Sequence, residues 1–385
     1  MSVPVDIRAA AAVVGAAETD RIGIVPDMSA IQLHANAARN ALRDAGLDKS
    51  QIDGIASAGM SPVAVADYLG IEASYVDGTS IGGGSFMIHV AHAAAALAVG
   101  YCNYVLITHG ESGRSQIGGE GWHGVPPTSA EGQFEVPYGA LGAASTFTVP
   151  IVAHMAKYGT TEEQIASVAV ATRAWATRNS RAMKRTPITV EDVLSSRLVS
   201  WPIHLLECCL VTDGGGALIL TTAERARDLP RPPVYILGTG EGVENVGIST
   251  MRDLTDARAS RRSGERAFRL AGLGPADIDH LMLYDAFAHT PMFALEALGF
   301  VKPGESGAWF AEGHSAPGGD LPVNTNGGGL SYTHTGRLGM FAMQESVRQL
   351  RGEAEAQVPG VRTSLAHGIA HFFSGAGTVI MSNQQ

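Results

Sequence analysis

The chain has 385 residues, 45% hydrophobic and 17% charged, with a mean hydropathy slightly above zero; this supports a large core in two domains or one duplicated one and excludes a disordered chain. No apolar run approaches the ~18 residues of a transmembrane helix, and 27 basic against 37 acidic residues give the wrong sign for a general nucleic-acid binder. Three cysteines, Cys102, Cys208 and Cys209, make no disulfide framework and point to a reducing, cytoplasmic setting.

The first predicted element is a strand in Val13-Val-Gly-Ala-Ala-Glu-Thr-Asp20, ending in a glycine turn. Acidic residues on both sides argue against reading this apolar stretch as a signal peptide. Residues 40–55 (NALRDAGLDKSQIDGI) then match residues 266–281 (RAFRLAGLGPADIDHL) without gaps at Ala41/Ala267, Arg43/Arg269, Ala45/Ala271, Gly46/Gly272, Leu47/Leu273, Ile52/Ile278 and Asp53/Asp279. Each reads as the end of an amphipathic helix, a glycine stop, a turn and a strand. A second element repeats in the same order: Gly82–84 before a helix-like run at 86–99, and Gly327–329 before another at 340–350. The chain is therefore an internal duplication of an α/β unit.

Between the halves, residues 113–150 are rich in Gly, Ser and Pro and read as a long loop covering a site. Residues 151–180 read as helical, with Thr161-Glu-Glu-Gln164 as a helix start. Asp213-Gly-Gly-Gly216 reads as a turn before a buried strand, and Asp228-Leu-Pro-Arg-Pro-Pro233 as the linker between halves. The expected units are residues 1–112 (first half), 113–200 (loop domain), 201–230 (end of the first half) and 231–385 (second half). Gly82–84 lacks a following Gly-Lys-Ser/Thr, so it is no nucleotide cradle. His367 and His371 alone make no zinc set.

The stretches VVGAAETD, LLECCLVTDGGGALIL (205–220), LYDAFAHTPMFALEALGF (283–300) and VNTNGGGLSYTHTG (323–336), in this order, resemble the thiolase superfamily, in its sterol-carrier-protein-type (lipid-transfer) branch. The resemblance spans essentially the whole chain. It implies a five-layered α-β-α-β-α fold of two duplicated halves with an inserted loop domain. It also implies an acyl-CoA thioester as substrate, with no resident cofactor or metal. Working thiolases use a cysteine at the start of the first-half helix, where helix-end N–H groups stabilise a thiolate. Here Ser80 is expected at that place, and the family's second cysteine is also missing. His334 matches the histidine of the Gly-His-Pro motif, with Thr335 for proline, and Tyr284 takes the first place of the motif read here as Tyr-Asp-Ala-Phe287.

Cysteine-less members of this branch resemble retro-aldolases that cleave side chains from 3-hydroxyacyl-CoA compounds, steroid degradation intermediates among them. On this reading His334 and Tyr284 bind thioester or hydroxyl oxygens, Tyr332 or His371 transfers the proton, and Ser80 lines the pocket. The alternatives are a thiolase or acyltransferase acylated on Ser80, and a non-catalytic acyl-CoA-binding subunit. The resemblance further implies a homodimer paired through Tyr104–Thr108 and a small OB-fold partner protein.

Overall fold

A computed structural model describes residues 7–118, 125–371 and 373–385. The first half runs β1 (Ala11–Glu18), α1 (Ala30–Ala45), β2 (Gly54–Ser57), α2 (Pro62–Leu69), β3 (Tyr75–Asp77), α3 (Ser85–Ala98) and β4 (Tyr104–Ser112). An insertion follows, with α4 (Ala130–Phe134), α5 (Ala143–Tyr158), α6 (Glu162–Ala176), α7 (Val190–Ser195) and a hairpin of β5 (Leu198–Ser200) and β6 (Ile203–His204). The chain then returns to the first sheet as β7 (Asp213–Thr222) and α8 (Ala223–Ala226). The second half repeats the plan with β8 (Val234–Val243), α9 (Arg258–Ala271), β9 (His280–Leu283), α10 (Thr290–Ala297), α11 (Ser306–Ala311), α12 (Gly339–Arg351), β10 (Thr363–Ala370) and β11 (Gly375–Ser382).

The strand order β3-β2-β4-β7-β1-β8-β11-β10-β9 is a mirror about the β1–β8 contact. That seam is thin, formed by Ala12–Tyr235 and Val13–Val234. In the place that mirrors β3, Val323 makes a parallel bridge to Leu281 of β9. The duplicated stretches fold alike: α1 ends at Gly46 (φ 68°) and α9 at Gly272 (φ 67°), both left-handed caps that a side chain would disfavour.

Helices α1 and α9 cover the outer faces of their own half-sheets, while α3 and α12 pack against strands of both halves. This gives five layers. The middle pair is enclosed over most of its length, so Ser85–Val90 and Gly339–Val347 are buried throughout, and Gln344 there bonds internally, to the Ala17 carbonyl. The outer helix α1 keeps its stripe, burying Ala30, Leu33, Ala37, Ala38, Ala41 and Ala45.

Four expectations are corrected here. Gly15 ends no turn; it lies inside β1, where a Cβ would sit 2.6 Å from the carbonyl oxygen of Ala41. Asp213–Gly216 is strand, antiparallel to Gly110–Ser112 and His109 of β4. Residues 113–150 carry α4 and the start of α5, so they are not one uninterrupted loop; 119–124 lie outside the described residues. Strand β4 is interior, paired with β2 on one side and β7 on the other, so Tyr104–Thr108 cannot offer a free edge to a second copy. Thr161 does cap α6, accepting from the Gln164 N–H.

Candidate active site

The two glycine loops converge at the start of the middle layer. Gly82–Gly84 forms a short 3-10 turn leading into α3. Gly82 has φ +84°, and a Cβ on Gly84 would approach the carbonyl oxygen of Gly368 to 2.9 Å. Gly83 faces Tyr284: a Cβ there would lie 1.9 Å from the ring carbon Cε2. The phenol therefore occupies the space that a side chain at the helix start would need. Ser80 is not at that start. It is exposed, five residues ahead of the first α-helical residue, Ser85. Ser85 itself is buried and closes the turn, accepting from Ile81 N–H (2.9 Å) and donating to the Gly82 carbonyl (2.7 Å).

The second loop passes through Gly327 (φ +105°) and Gly328 (φ +56°) into a π-turn over Gly328–Tyr332. Asp285, directly after Tyr284, holds this turn by accepting from Gly329 N–H (2.7 Å) and Leu330 N–H (3.3 Å). A Cβ on Gly328 would come within 2.1 Å of the Asp285 carboxylate, so only glycine fits. Burial pushes the Asp285 carboxyl up to about 7, although the two N–H donors oppose the shift.

The turn delivers His334 to Tyr284. The imidazole Nε2 lies 3.0 Å from the Tyr284 hydroxyl, both side chains buried. Nδ1 accepts from Gly336 N–H at 3.3 Å, so the ring proton is assigned to Nε2, which donates to the phenol oxygen. The phenol in turn donates to the Gly336 carbonyl at 3.3 Å. Burial lowers the His334 pKa to about 4 and raises that of Tyr284, so both are neutral near pH 7. A neutral N–H and a neutral O–H meet at one point, an arrangement suited to stabilising a developing oxyanion and passing a proton.

Of the other expected residues, Tyr332 stands elsewhere, while the backbone N of His371 would lie 3.2 Å from a Cβ on Gly82, beside the glycine turn. Tyr332 is fully buried, and its hydroxyl donates to Glu18. Arg348 (2.7 Å) and Arg181 (3.2 Å) share that carboxylate. The π-turn thus points Tyr332 into an ion cluster at the end of β1. His371 is exposed, with φ 28°, at the end of β10. His367 is buried and bonded through both nitrogens, to Thr378 (2.8 Å) and Ser260 (3.0 Å), so the two histidines form no joint site. Among the described residues no cluster of three or more His, Cys, Asp or Glu is placed to hold a metal.

Burial pushes the thiols of Cys102 and Cys208 up to about 11 and 12, and that of Cys209 higher still. None is a ready thiolate. Cys209 is tied to the Tyr284 segment through its N–H to the Ala286 carbonyl at 2.9 Å.

Reading the sequence alone misses Gly83 and Asp285. The helix-like run begins at Phe86, so a count back from it would have favoured the glycine triplet over Ser80. Asp285 carries no such signal, because its role depends on the other loop.

Residues 240–383 match the family model described as "Thiolase C-terminal domain-like". The chain is 34% identical to a 17-hydroxy-3-oxo-4-pregnene-20-carboxyl-CoA lyase of Mycobacterium tuberculosis, over 91% of this chain and 94% of that one. It is 35% identical to a steroid side-chain-cleaving aldolase of Thermomonospora curvata (88% and 89%) and 32% identical to an acetyl-CoA acetyltransferase of Methanothermobacter thermautotrophicus (93% and 95%). A solved Ltp2-ChsH2(DUF35) aldolase superposes with a TM-score of 0.90 at 31% identity, covering 98% of this chain and 99% of that one. With its mirrored halves and these similarities over nearly its whole length, the chain belongs to the thiolase superfamily, in the branch of the sterol-carrier-protein-type thiolase-like proteins and the side-chain-cleaving aldolases.

Proposed function

We propose that this enzyme cleaves a carbon–carbon bond of a 3-hydroxyacyl-CoA by a retro-aldol reaction, without a covalent acyl-enzyme. The observation that carries the reading is Gly83 packed against the Tyr284 ring. A thiolase needs a nucleophilic side chain at the start of the first-half helix, and here that volume belongs to a phenol.

The chemistry balances with the pair alone. In one concerted step the substrate 3-hydroxyl gives its proton to the Tyr284 oxygen while Tyr284 gives its own proton to C2, as the C2–C3 bond breaks and a carbonyl compound leaves. As the electron pair shifts toward the thioester, its enolate-like oxygen accepts the His334 Nε2–H that the phenol oxygen holds before substrate binds. Tyr284 thus begins and ends as the neutral phenol. The raised pKa of Tyr284 suits a relay that must not stop as phenolate. Tyr332 is engaged with Glu18, and His371, although it flanks the glycine turn at Gly82, makes no hydrogen bond to the pair, so we assign the proton transfer to Tyr284.

The two relatives with lyase and aldolase names act on steroid side chains, which supports a steroid-type acyl-CoA as the substrate class. The acyltransferase reading, supported by the acetyltransferase relative, requires a nucleophile that the exposed Ser80 does not provide. The non-catalytic reading leaves the buried Tyr284–His334 pair without a use. The three free cysteines support a reducing, cytoplasmic setting.

A homodimer would pair through the edge strand β3, where Val76 is exposed and Tyr75 packs on the exposed Tyr101. The two-part name of the solved Ltp2-ChsH2(DUF35) aldolase supports a partner protein, which we propose is the small OB-fold protein that the family resemblance implies. The direct test is incubation with 3-hydroxyacyl-CoAs, steroid side-chain esters included, in the absence of free CoA. A released ketone or aldehyde with an equimolar shortened acyl-CoA is expected; no turnover there, with turnover only in a parallel assay of 3-ketoacyl-CoA plus free CoA, would overturn the reading.

A further inference from the structure

We infer that His109, on β4 of the first half, is a positioning residue for His334, acting through Thr335. The inference rests on the catalytic role proposed for His334. His334 sits in Thr333-His-Thr335, and each part of this tripeptide is tied down. The backbone N–H of His334 donates to Thr212 Oγ1 at 2.9 Å, and its carbonyl accepts from Thr212 N–H at 3.1 Å. Thr333 Oγ1 meets the same Thr212 hydroxyl at 2.7 Å. These bonds fix the backbone on one side. On the other, Thr335 Oγ1 lies 2.6 Å from His109 Nε2.

His109 is an unusual residue to find there. Its side chain is fully buried, and burial holds its pKa far below the ordinary histidine value. Its ring is fixed by Phe86 (5.1 Å between centroids), Phe341 (6.1 Å) and the edge of His34 (6.3 Å). His34 is itself held by Thr108 Oγ1 at 2.9 Å from its Nδ1. A neutral imidazole in such surroundings costs stability unless it is hydrogen-bonded. Among the described residues its Nδ1 has no hydrogen-bond partner, so the one bond the ring makes, through Nε2, goes to the residue that follows His334. The packing thus builds a rigid post from α1, β4, α3 and α12, and its tip is one hydrogen bond on the loop carrying the oxyanion donor. Small displacements of such a donor are costly, because an error of about 1 Å can cost on the order of a hundredfold in rate.

The test is a double-mutant cycle on the intact protein, with His109→Phe, which keeps the ring contacts, and Thr335→Val, which keeps the shape. Each single variant is expected to lower kcat by at least about tenfold with KM within about twofold. The double variant is expected to be no worse than the poorer single. His109→Gln, whose amide can reach the Thr335 hydroxyl, recovers most of the loss. Strictly additive losses, or folded variants with wild-type kcat, would overturn the assignment.

A second readout does not depend on turnover. Long-range 1H–15N spectra of histidine-labelled protein are expected to show His334 as the Nε2–H tautomer, and its signals to shift in both single variants. Unchanged His334 signals would sink the inference. A wild-type protein without lyase activity but with those shifts would fault the proposed reaction and leave the positioning contact standing.

Discussion

Removing the phenolic oxygen of Tyr284 deletes the acceptor of His334 Nε2–H and the donor to the Gly336 carbonyl, while the ring still fills the space over Gly83. Tyr284→Phe should therefore stay folded and lose roughly 10²–10⁴ in kcat, the usual contribution of a positioned proton-transfer group. His334→Ala should lose at least about a hundredfold in kcat with little change in KM, since the bond to the enolate oxygen is made mainly in the transition state. Normal turnover of either folded variant would remove that residue from the mechanism. The protonation states make a separate prediction. His334 charges only near pH 4 and Tyr284 loses its proton only well into the alkaline range, so kcat should be flat from about pH 5.5 to 9. A transition near pH 7 would instead assign the base to Asp285 or Glu207, whose carboxyls burial holds at about 7.

At the scale of elements, the decisive contact is between the turn before α3 and the strand-end segment at Tyr284, one from each half. Gly83→Ala would drive a methyl into the Tyr284 ring, so it should lower the melting temperature and abolish most activity. Ser80→Ala, at an exposed site, should leave activity within about tenfold. A Ser80→Ala loss greater than about 10³, measured on folded protein, would restore the covalent route.

This contact also shows where the sequence is readable. The repeat at 40–55 and 266–281 is local: an apolar helical stripe stopped by a left-handed glycine reads the same in any context. The partner of a glycine is not local. Asp213–Gly216 looks like a turn, yet it is strand because β4 approaches so closely that a Cβ on Gly215 would lie 2.2 Å from the His109 carbonyl oxygen. Likewise Tyr332 is two residues from His334 in sequence, but the π-turn sends it to Glu18 instead. His334 and Tyr284 were legible as separate motif residues; that they touch depends on the second loop packing onto Asp285.

The whole molecule carries an unusual load of buried neutral histidines. His34, His280, His289 and His367 are fully buried with pKa values lowered to about 3, and His334 to about 4. Each stays neutral when folded but charges near pH 6.5 once the chain unfolds. A depressed histidine contributes stability that is present above its unfolded pKa and is lost as pH falls toward its folded value. Each proton taken up on unfolding steepens that loss by about 1.4 kcal/mol per pH unit. The melting temperature should therefore fall steadily from pH 7 to pH 5, with uptake of several protons on unfolding. A melting temperature flat over that range would show that the histidine network is hydrated or open in solution.

The central claim is that a phenol–imidazole pair replaces the covalent nucleophile. Turnover of a 3-hydroxyacyl-CoA in deuterated water, followed by mass spectrometry of both the intact protein and the shortened acyl-CoA, tests it most directly. The account predicts one deuteron at C2 of the released acyl-CoA and a protein mass unchanged throughout the steady state. An acyl adduct that accumulates and decays with turnover, on Ser80 or on a cysteine, would contradict it.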